Sequence, residues 1–255
     1  MRIDIATLFP EMCEAYLSES ILGRARKAGC LEVHCHNIRD YTLDKHNRVD
    51  DYSYGIGKGM VMQPDPIWRC YQAVEAMAQE KPWVIYLSPQ GAQFNQKKAV
   101  ELSGRPRLFL LCGHYEGVDQ RILDKIVDEE ISLGDFVLTG GELPALAVTD
   151  AVARMLPGVL PQEECFARES HYDGLLEHPQ YTHPRVWDGR EVPEVLLSGH
   201  HANIEAWKLE ESLKQTQKKR PDLYQAWLEA HPPQPEKKRK KRKFTEKTPP
   251  DTPEF

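Results

Sequence analysis

The sequence predicts an α/β domain built on a mostly parallel sheet with helices on both faces, then a small helical module and a disordered basic tail. Three observations predict it. Apolar strand-like runs alternate with helical stretches over the first 160 residues. Runs such as VIYL and LFLLC carry no polar alternation, the pattern of strands covered on both faces. After Pro157-Gly158 the periodic texture gives way to Pro-, Gly-, His- and acid-rich sequence, and helical patterning returns only near Asn203.

In chain order, strands are expected at Ile3–Phe9, Leu31–Ile38, Trp83–Leu87, Leu108–Cys112 and Glu129–Leu133. Helices are expected near Pro10–Leu17, Ser20–Ala28, Pro66–Gln79 and Asn95–Leu102. Leu143–Leu156 is apolar nearly all round, broken by Thr149, Asp150 and Arg154, and reads as a buried helix. Asn203–Ala230 is helical, anchored by Trp207, Leu213, Leu223 and Trp227. The expected organisation is therefore a ligand-binding domain at 1–160, a linker at 161–175, a helical domain at 176–231 and a tail at 232–255. No internal repeat is visible.

Composition excludes several classes. The 255 residues are 40% hydrophobic and 28% charged, which is ordinary for a globular chain. No apolar run approaches the roughly 18 residues that a membrane span requires. The opening MRIDIATLFP lacks the apolar core of a signal peptide. The six cysteines form no C-x-x-C pair, so neither a disulfide framework nor a cysteine zinc site is suggested. A cytoplasmic protein without membrane contact is expected. The net charge of −6 divides into +4 for residues 231–255 and −10 for the rest. The tail also holds six of the 19 prolines and cannot bury enough apolar surface to fold alone. Its seven consecutive basic residues, Lys237–Lys243, could attract phosphates, although a solvated tail is the plainer reading.

Three strand ends run into glycine-bearing loops: Ser88–Gly91, Gly113–Gly117 and Leu133–Glu142. Each alone is a turn. Together, at the carboxyl ends of strands in an α/β sheet, they favour a ligand crevice. No G-x-x-x-x-G-K-[ST] is present, and Gly55-Ile-Gly-Lys-Gly59 has the wrong spacing and context for a dinucleotide loop. It is either a mobile loop or a phosphate contact. His34 and His36 share one face of a strand but lack a completing cluster, and read as surface histidines on an edge strand. His200-His201 reads as a loop or helix start. Asp150 and Arg154 stand at i, i+4, where an intrahelical salt bridge is the default. A cation on so apolar a helix nevertheless carries a desolvation cost. Glu169 and Asp173 are two carboxylates that could act as bases, or solvated loop acids.

These same motifs carry a family resemblance. Ile85-Tyr-Leu-Ser-Pro-Gln-Gly91, Leu111-Cys-Gly-His-Tyr-Glu-Gly-Val-Asp119 and Leu133-Gly-Asp-Phe-Val-Leu-Thr-Gly-Gly-Glu-Leu-Pro144 resemble the bacterial tRNA (guanine-37 N1)-methyltransferases. So do Leu8-Phe-Pro-Glu-Met12, Arg39-Asp-Tyr through Asp44-Lys-His46, Asp150-Ala-Val-Ala-Arg154, Pro157-Gly-Val-Leu160, Gly174-Leu-Leu, Tyr181-Thr and Leu197-Ser-Gly-His200. The matches run in register from residue 1 to about 230, leaving only the tail outside. The resemblance implies a SPOUT-type, trefoil-knotted α/β methyltransferase acting as a homodimer, with its active site at the subunit interface. It also implies a tRNA substrate, S-adenosylmethionine as cofactor and a dependence on magnesium, for which the sequence identifies no ligand.

Carried over by the resemblance, Tyr86, Leu87, Ser88, Pro89, Gly113, Tyr115 and Glu116 would cradle the cofactor. So would Leu133, Gly134, Asp135, Phe136, Val137 and Leu138, with Gly140, Gly141 and Pro144 nearby. Guanine N1 is a poor nucleophile until a carboxylate removes its proton. The resemblance places that base at Glu169, with Asp173 in reserve, and Arg154 as the cation that stabilises charge on O6. Glu169 stands where Asp is usual. Other departures are His114 for an arginine, Ile56 and Lys58 in a glycine/proline-rich loop, and His183 for an arginine. The basic tail could supply part of any lost contact with tRNA. Two other readings remain: a knotted methyltransferase acting on another RNA, and a non-catalytic RNA-binding paralogue.

Overall fold

Five strands, all parallel, form one sheet in the order β2-β1-β6-β5-β7. The computed structural model describes residues 1–55, 59–161 and 169–232. The chain divides into two units, Met1–Asp173 and Gly174–Phe255. Ile56, Lys58 and the tail from residue 233 lie outside the described residues.

The first unit runs β1 (Arg2–Thr7), α1 (Pro10–Leu17), α2 (Ser20–Lys27), β2 (Glu32–Asn37), β3 (Asp50–Tyr52), β4 (Met60–Met62) and α3 (Pro64–Glu75). It continues with β5 (Trp83–Gln93), α4 (Gln96–Ser103), β6 (Arg107–Cys112), α5 (Gln120–Ile126), β7 (Glu129–Ser132) and α6 (Glu142–Ala153). Local chemistry sets several boundaries. Pro10 and Pro64 open α1 and α3, where a missing N–H leaves no hydrogen bond unmade. Asn95 caps α4 by accepting from Lys98 N at 3.0 Å, and Asp119 caps α5 by accepting from Arg121 N at 3.0 Å. Gly29, at φ +74°, ends α2.

The apolar strands sort their side chains by parity. Ile3, Ile5, Ile85, Leu87, Leu108 and Leu110 pack on one face with residues of α1, α2, α4 and α6. Val84, Tyr86, Phe109 and Leu111 pack on the other with α3 and α5. Two cores, one on each face, explain why these strands lack polar alternation. The helix expected at Leu143–Leu156 is Glu142–Ala153, and it is buried on one side only. Leu143 is 53% exposed, because among the described residues nothing covers that flank.

Other differences have local causes. β5 continues to Gln93 because Ala92 and Gln93 rejoin β7 after a register shift that loops out Ser88–Gly91. The antiparallel pair β3–β4 and helix α5 were not anticipated; β3 is charged and only three residues long. α3 begins at Pro64 and ends at Glu75, offset from the expected 66–79.

At the amino-terminal edge of the sheet lies a buried polar cluster. Asp4, fully buried, accepts from Arg2 at 2.8 and 2.9 Å, bonds His36 Nε2 at 2.9 Å and faces Arg107 at 3.7 Å. Arg107 also donates to the carbonyls of Glu80 and Val74. His36 is thus a structural partner of Asp4 and not the surface histidine expected. β2 is the edge strand, but the side chain turned toward β1 is covered, whereas His34 stays half exposed beside Glu32. Burial alone would raise the Asp4 carboxyl; the hydrogen bonds from His36 and Arg2 outweigh it and hold it below its ordinary range.

The second unit contains a hairpin, β8 (Val186–Trp187) and β9 (Arg190–Glu191), and helices α7 (Glu194–Leu197), α8 (His201–Lys219) and α9 (Pro221–Ala230). The hairpin turn places Asp188 and Gly189 at φ +53° and +72°, as a tight two-residue turn requires. The helix expected across 203–230 is broken at Arg220, because Pro221 cannot donate into it. Thr216, fully buried, donates to Ser212 O and accepts from Leu176 N, pinning the start of the unit to α8.

Asp4→Asn is expected to lower stability at neutral pH by about 3 kcal/mol, because it strands buried cations. Denaturant titration reads this. A depressed folded pKa contributes stability that is present above the unfolded value near ~3.9 and lost as pH falls through the folded one. In the wild type, the Asp4 contribution should therefore persist at neutral pH, begin to fall away below pH ~4 and be gone once pH passes the depressed folded value.

Candidate active site

The carboxyl ends of β5, β6 and β7 open into a cleft of about 250 Å³. That is near the ~300 Å³ at which small-molecule sites begin. Of the sixteen residues assigned to a cofactor by resemblance, fifteen line it: Tyr86, Leu87, Ser88, Pro89, Gly113, Tyr115, Glu116, Leu133, Gly134, Phe136, Val137, Leu138, Gly140, Gly141 and Pro144. Asp135 does not. Phe136 N donates to Gly134 O at 2.8 Å, and the tight turn leaves Asp135 exposed outside the lining.

Close backbone approach builds the cleft. Gly141 N donates to Gly113 O at 3.0 Å, and His114 and Gly140 form an antiparallel bridge. A methyl group on Gly141 would lie 2.7 Å from Cys112 Cα and 3.0 Å from Gly113 N. A methyl group on Gly113 would meet the Tyr86 hydroxyl at 2.8 Å. Burial pushes the Tyr86 phenol up, so it remains neutral. Tyr115 sits at φ +60°, a left-handed conformation unusual for a tyrosine, and its hydroxyl receives Arg39 Nη2 at 3.4 Å. β4 holds this loop from the far side: Glu116 N donates to Met60 O, and Met62 N to Gly117 O, each at 2.9 Å.

Beneath the loops is a buried carboxylate that sequence reasoning missed. Glu142 is 3% exposed. It accepts the Thr7 hydroxyl at 2.6 Å and bonds His114 Nε2 at 2.7 Å, while Thr7 Oγ1 accepts from Phe9 N at 2.9 Å. The clasp ties β1, the 113–117 loop and the first turn of α6 together. An acid at the head of an apolar helix was the available signal, but the helix was expected to start one residue later. Gln90, His114, Gly117 and Thr139, from the loops expected to form the crevice, line it as well, and Ile131 and Ser132 of β7 join them without having been anticipated.

The proposed reacting groups lie away from the cleft, at the far end of α6 and beyond it. Arg154 follows its last turn and pairs with Glu169; both are partly exposed. The intrahelical Asp150–Arg154 bridge is not the arrangement found, since Asp150 instead accepts the Tyr16 hydroxyl at 2.6 Å. Asp173 is exposed in the turn after Glu169. Helix α6 has 12 residues between Gly141 and Arg154, so the two stand about 20 Å apart along its axis. A single chain does not bring Arg154 and Glu169 into its own cleft.

Residues 1–226 match the family described as tRNA (Guanine-1)-methyltransferase TrmD. The chain belongs to that family. Within it, the chain is 56% identical over 224 residues to the tRNA (guanine-N(1)-)-methyltransferase of Ruminiclostridium cellulolyticum, covering 88% of this chain and 96% of the relative. The protein of the same name from Lachnospira eligens is 52% identical over 231 residues, covering 91% and 98%. That of Clostridioides difficile is 53% identical over 225 residues, covering 88% and 97%. Membership in this methyltransferase family, which is of the SPOUT type, accords with the parallel sheet and helical second unit.

Gly141→Ala tests the clasp between the loops. The added methyl meets the backbone of Cys112 and Gly113, so the two segments must part. The expected loss is about 1–3 kcal/mol by urea unfolding.

Proposed function

We propose that the protein transfers a methyl group from S-adenosylmethionine to N1 of guanosine 37 of tRNA, beside the anticodon. The observation that carries this reading is the family match across residues 1–226. The relatives' shared name specifies tRNA and guanine N1.

The cleft suits S-adenosylmethionine on chemical grounds. When bound, that cofactor supplies an electrophilic methyl group on a positively charged sulfonium. Among the described residues lining the cleft there is no Lys or Arg, and Glu116 is the acidic side chain. This favours a cationic ligand over a polyphosphate. Leu133, Phe136, Leu138 and Pro144 offer an apolar wall, and the glycine loops let backbone amides and carbonyls approach. Among the described residues no three His, Cys, Asp or Glu side chains are arranged to hold a metal ion. No step is therefore assigned to magnesium; adding it back after EDTA treatment tests the dependence.

Glu169 takes the N1 proton of a guanine turned out of its stack, and Arg154 stabilises the charge that builds on O6. Asp173, four residues on, is the reserve base. The separation along α6 supports a homodimer in which Arg154 and Glu169 of one chain serve the cleft of the other. Met12 and Tyr16 on α1 and Leu143 on α6 are 46%, 49% and 53% exposed, which suits a covered face. A trefoil knot belongs to the same reading: after β7 at the sheet edge the chain returns past β5 to the end of β6. The second unit is assigned to tRNA contact. No helix among the described residues is long and apolar enough to cross a membrane, and the cytoplasm is the proposed location.

The test is transfer of labelled methyl to an unmodified tRNA with guanosines at 36 and 37, beside one carrying adenosine at 37. Label on the first alone is expected. Glu169→Gln and Arg154→Ala should each lower kcat by about 100-fold or more, with Asp173→Asn milder. Equal labelling of both tRNAs would point to another RNA position, and cofactor binding without transfer to a non-catalytic paralogue.

A further inference from the structure

Arg154 follows Asp150 by four residues, and its backbone N–H donates to the Asp150 carbonyl at 3.1 Å. On a helix this spacing places an aspartate and an arginine within ion-pairing reach. The pairing found is different. Asp150 Oδ2 accepts the hydroxyl of Tyr16, which reaches across from α1, and the Arg154 guanidinium turns to Glu169. Tyr16 is 49% exposed, so its ring is not held by burial alone, yet its hydroxyl lies 2.6 Å from the carboxylate. That hydrogen bond, with a smaller contribution from desolvation, raises the phenol above its ordinary range and keeps it a donor.

We propose that Tyr16 is a positioning residue for Arg154: by occupying the Asp150 carboxylate, it reserves the arginine for Glu169 and the substrate oxygen. The inference rests on the reading of Arg154 and Glu169 as the reacting pair. Without the hydroxyl, Asp150 has an unsatisfied carboxylate one helical turn from a guanidinium. Two carboxylates competing on equal terms would divide the arginine between them. Misplacement by an ångström lowers a rate further, since reacting groups must be aligned before the chemical step.

The experiment measures methyl transfer by the full-length protein with Tyr16→Phe, with Tyr16→Phe/Asp150→Asn, and with Arg154→Ala and Glu169→Gln alongside. Tyr16→Phe is expected to lower kcat about two- to tenfold with the KM for S-adenosylmethionine unchanged. Adding Asp150→Asn should restore kcat, because the competing charge is gone. A loss caused by altered packing or subunit pairing would persist in the double variant, which lacks the same hydroxyl. An unchanged kcat in Tyr16→Phe, or a loss that Asp150→Asn does not repair, overturns the positioning role. If Arg154→Ala and Glu169→Gln keep full rates, the reacting pair was misassigned and the proposal falls with it. If they lose activity while Tyr16→Phe does not, only the role of Tyr16 falls.

Discussion

The cleft depends on one backbone contact, the approach of Gly141 to Gly113. With a hydrogen bond of 3.0 Å and no space for a side chain between them, the segment after β7 is held against the end of β6. Two of the three lining loops take their position from that contact. The 113–117 loop is fixed between α6 on one side and β4 on the other, and the 133–141 segment is stretched from the sheet edge back to its middle. Glu142 secures the same junction with side chains, joining Thr7 of β1 to His114 of the loop.

The two ends of the sheet divide stability from chemistry. At the amino-terminal edge, Asp4 collects Arg2, His36 and Arg107 in a buried, nearly satisfied cluster that holds β1 to both of its neighbours. At the carboxyl edge the chain adopts costlier conformations, such as the left-handed Tyr115, and leaves large side chains such as Phe136 and Val137 exposed. Sites at the carboxyl ends of parallel strands are the rule for open α/β sheets. Here that end is the one at which three loops converge.

Much of this was legible in the sequence, because unbroken apolar runs report burial on both faces. VIYL and LFLLC are β5 and β6, and the three glycine loops meet at one cleft. Several of the misses share a cause: they depend on partners remote in sequence. His36 reads as a surface residue until Asp4, 32 positions away, is placed beside it. The Asp150–Arg154 pair follows from helical spacing, and only the fold brings Tyr16 from 134 residues away to intercept it. β3 and β4 are too short to announce themselves, and β4 is held because the 113–119 loop completes its hydrogen bonding. Periodicity finds elements; it does not find what crosses between them. The family motifs located the loops for the same reason that periodicity could not, since they are patterns of a folded site.

Glu142 has a consequence for cofactor choice. The amino terminus of a helix is ordinarily an attractive seat for a phosphate, and many nucleotide-binding folds use it that way. In this protein the first residue of α6 is itself a buried carboxylate, at the helix end that borders the cleft. The helix dipole is already answered by a covalently attached anion. A helix end blocked in this way offers a phosphate group no electrostatic advantage at the junction that holds the loops together.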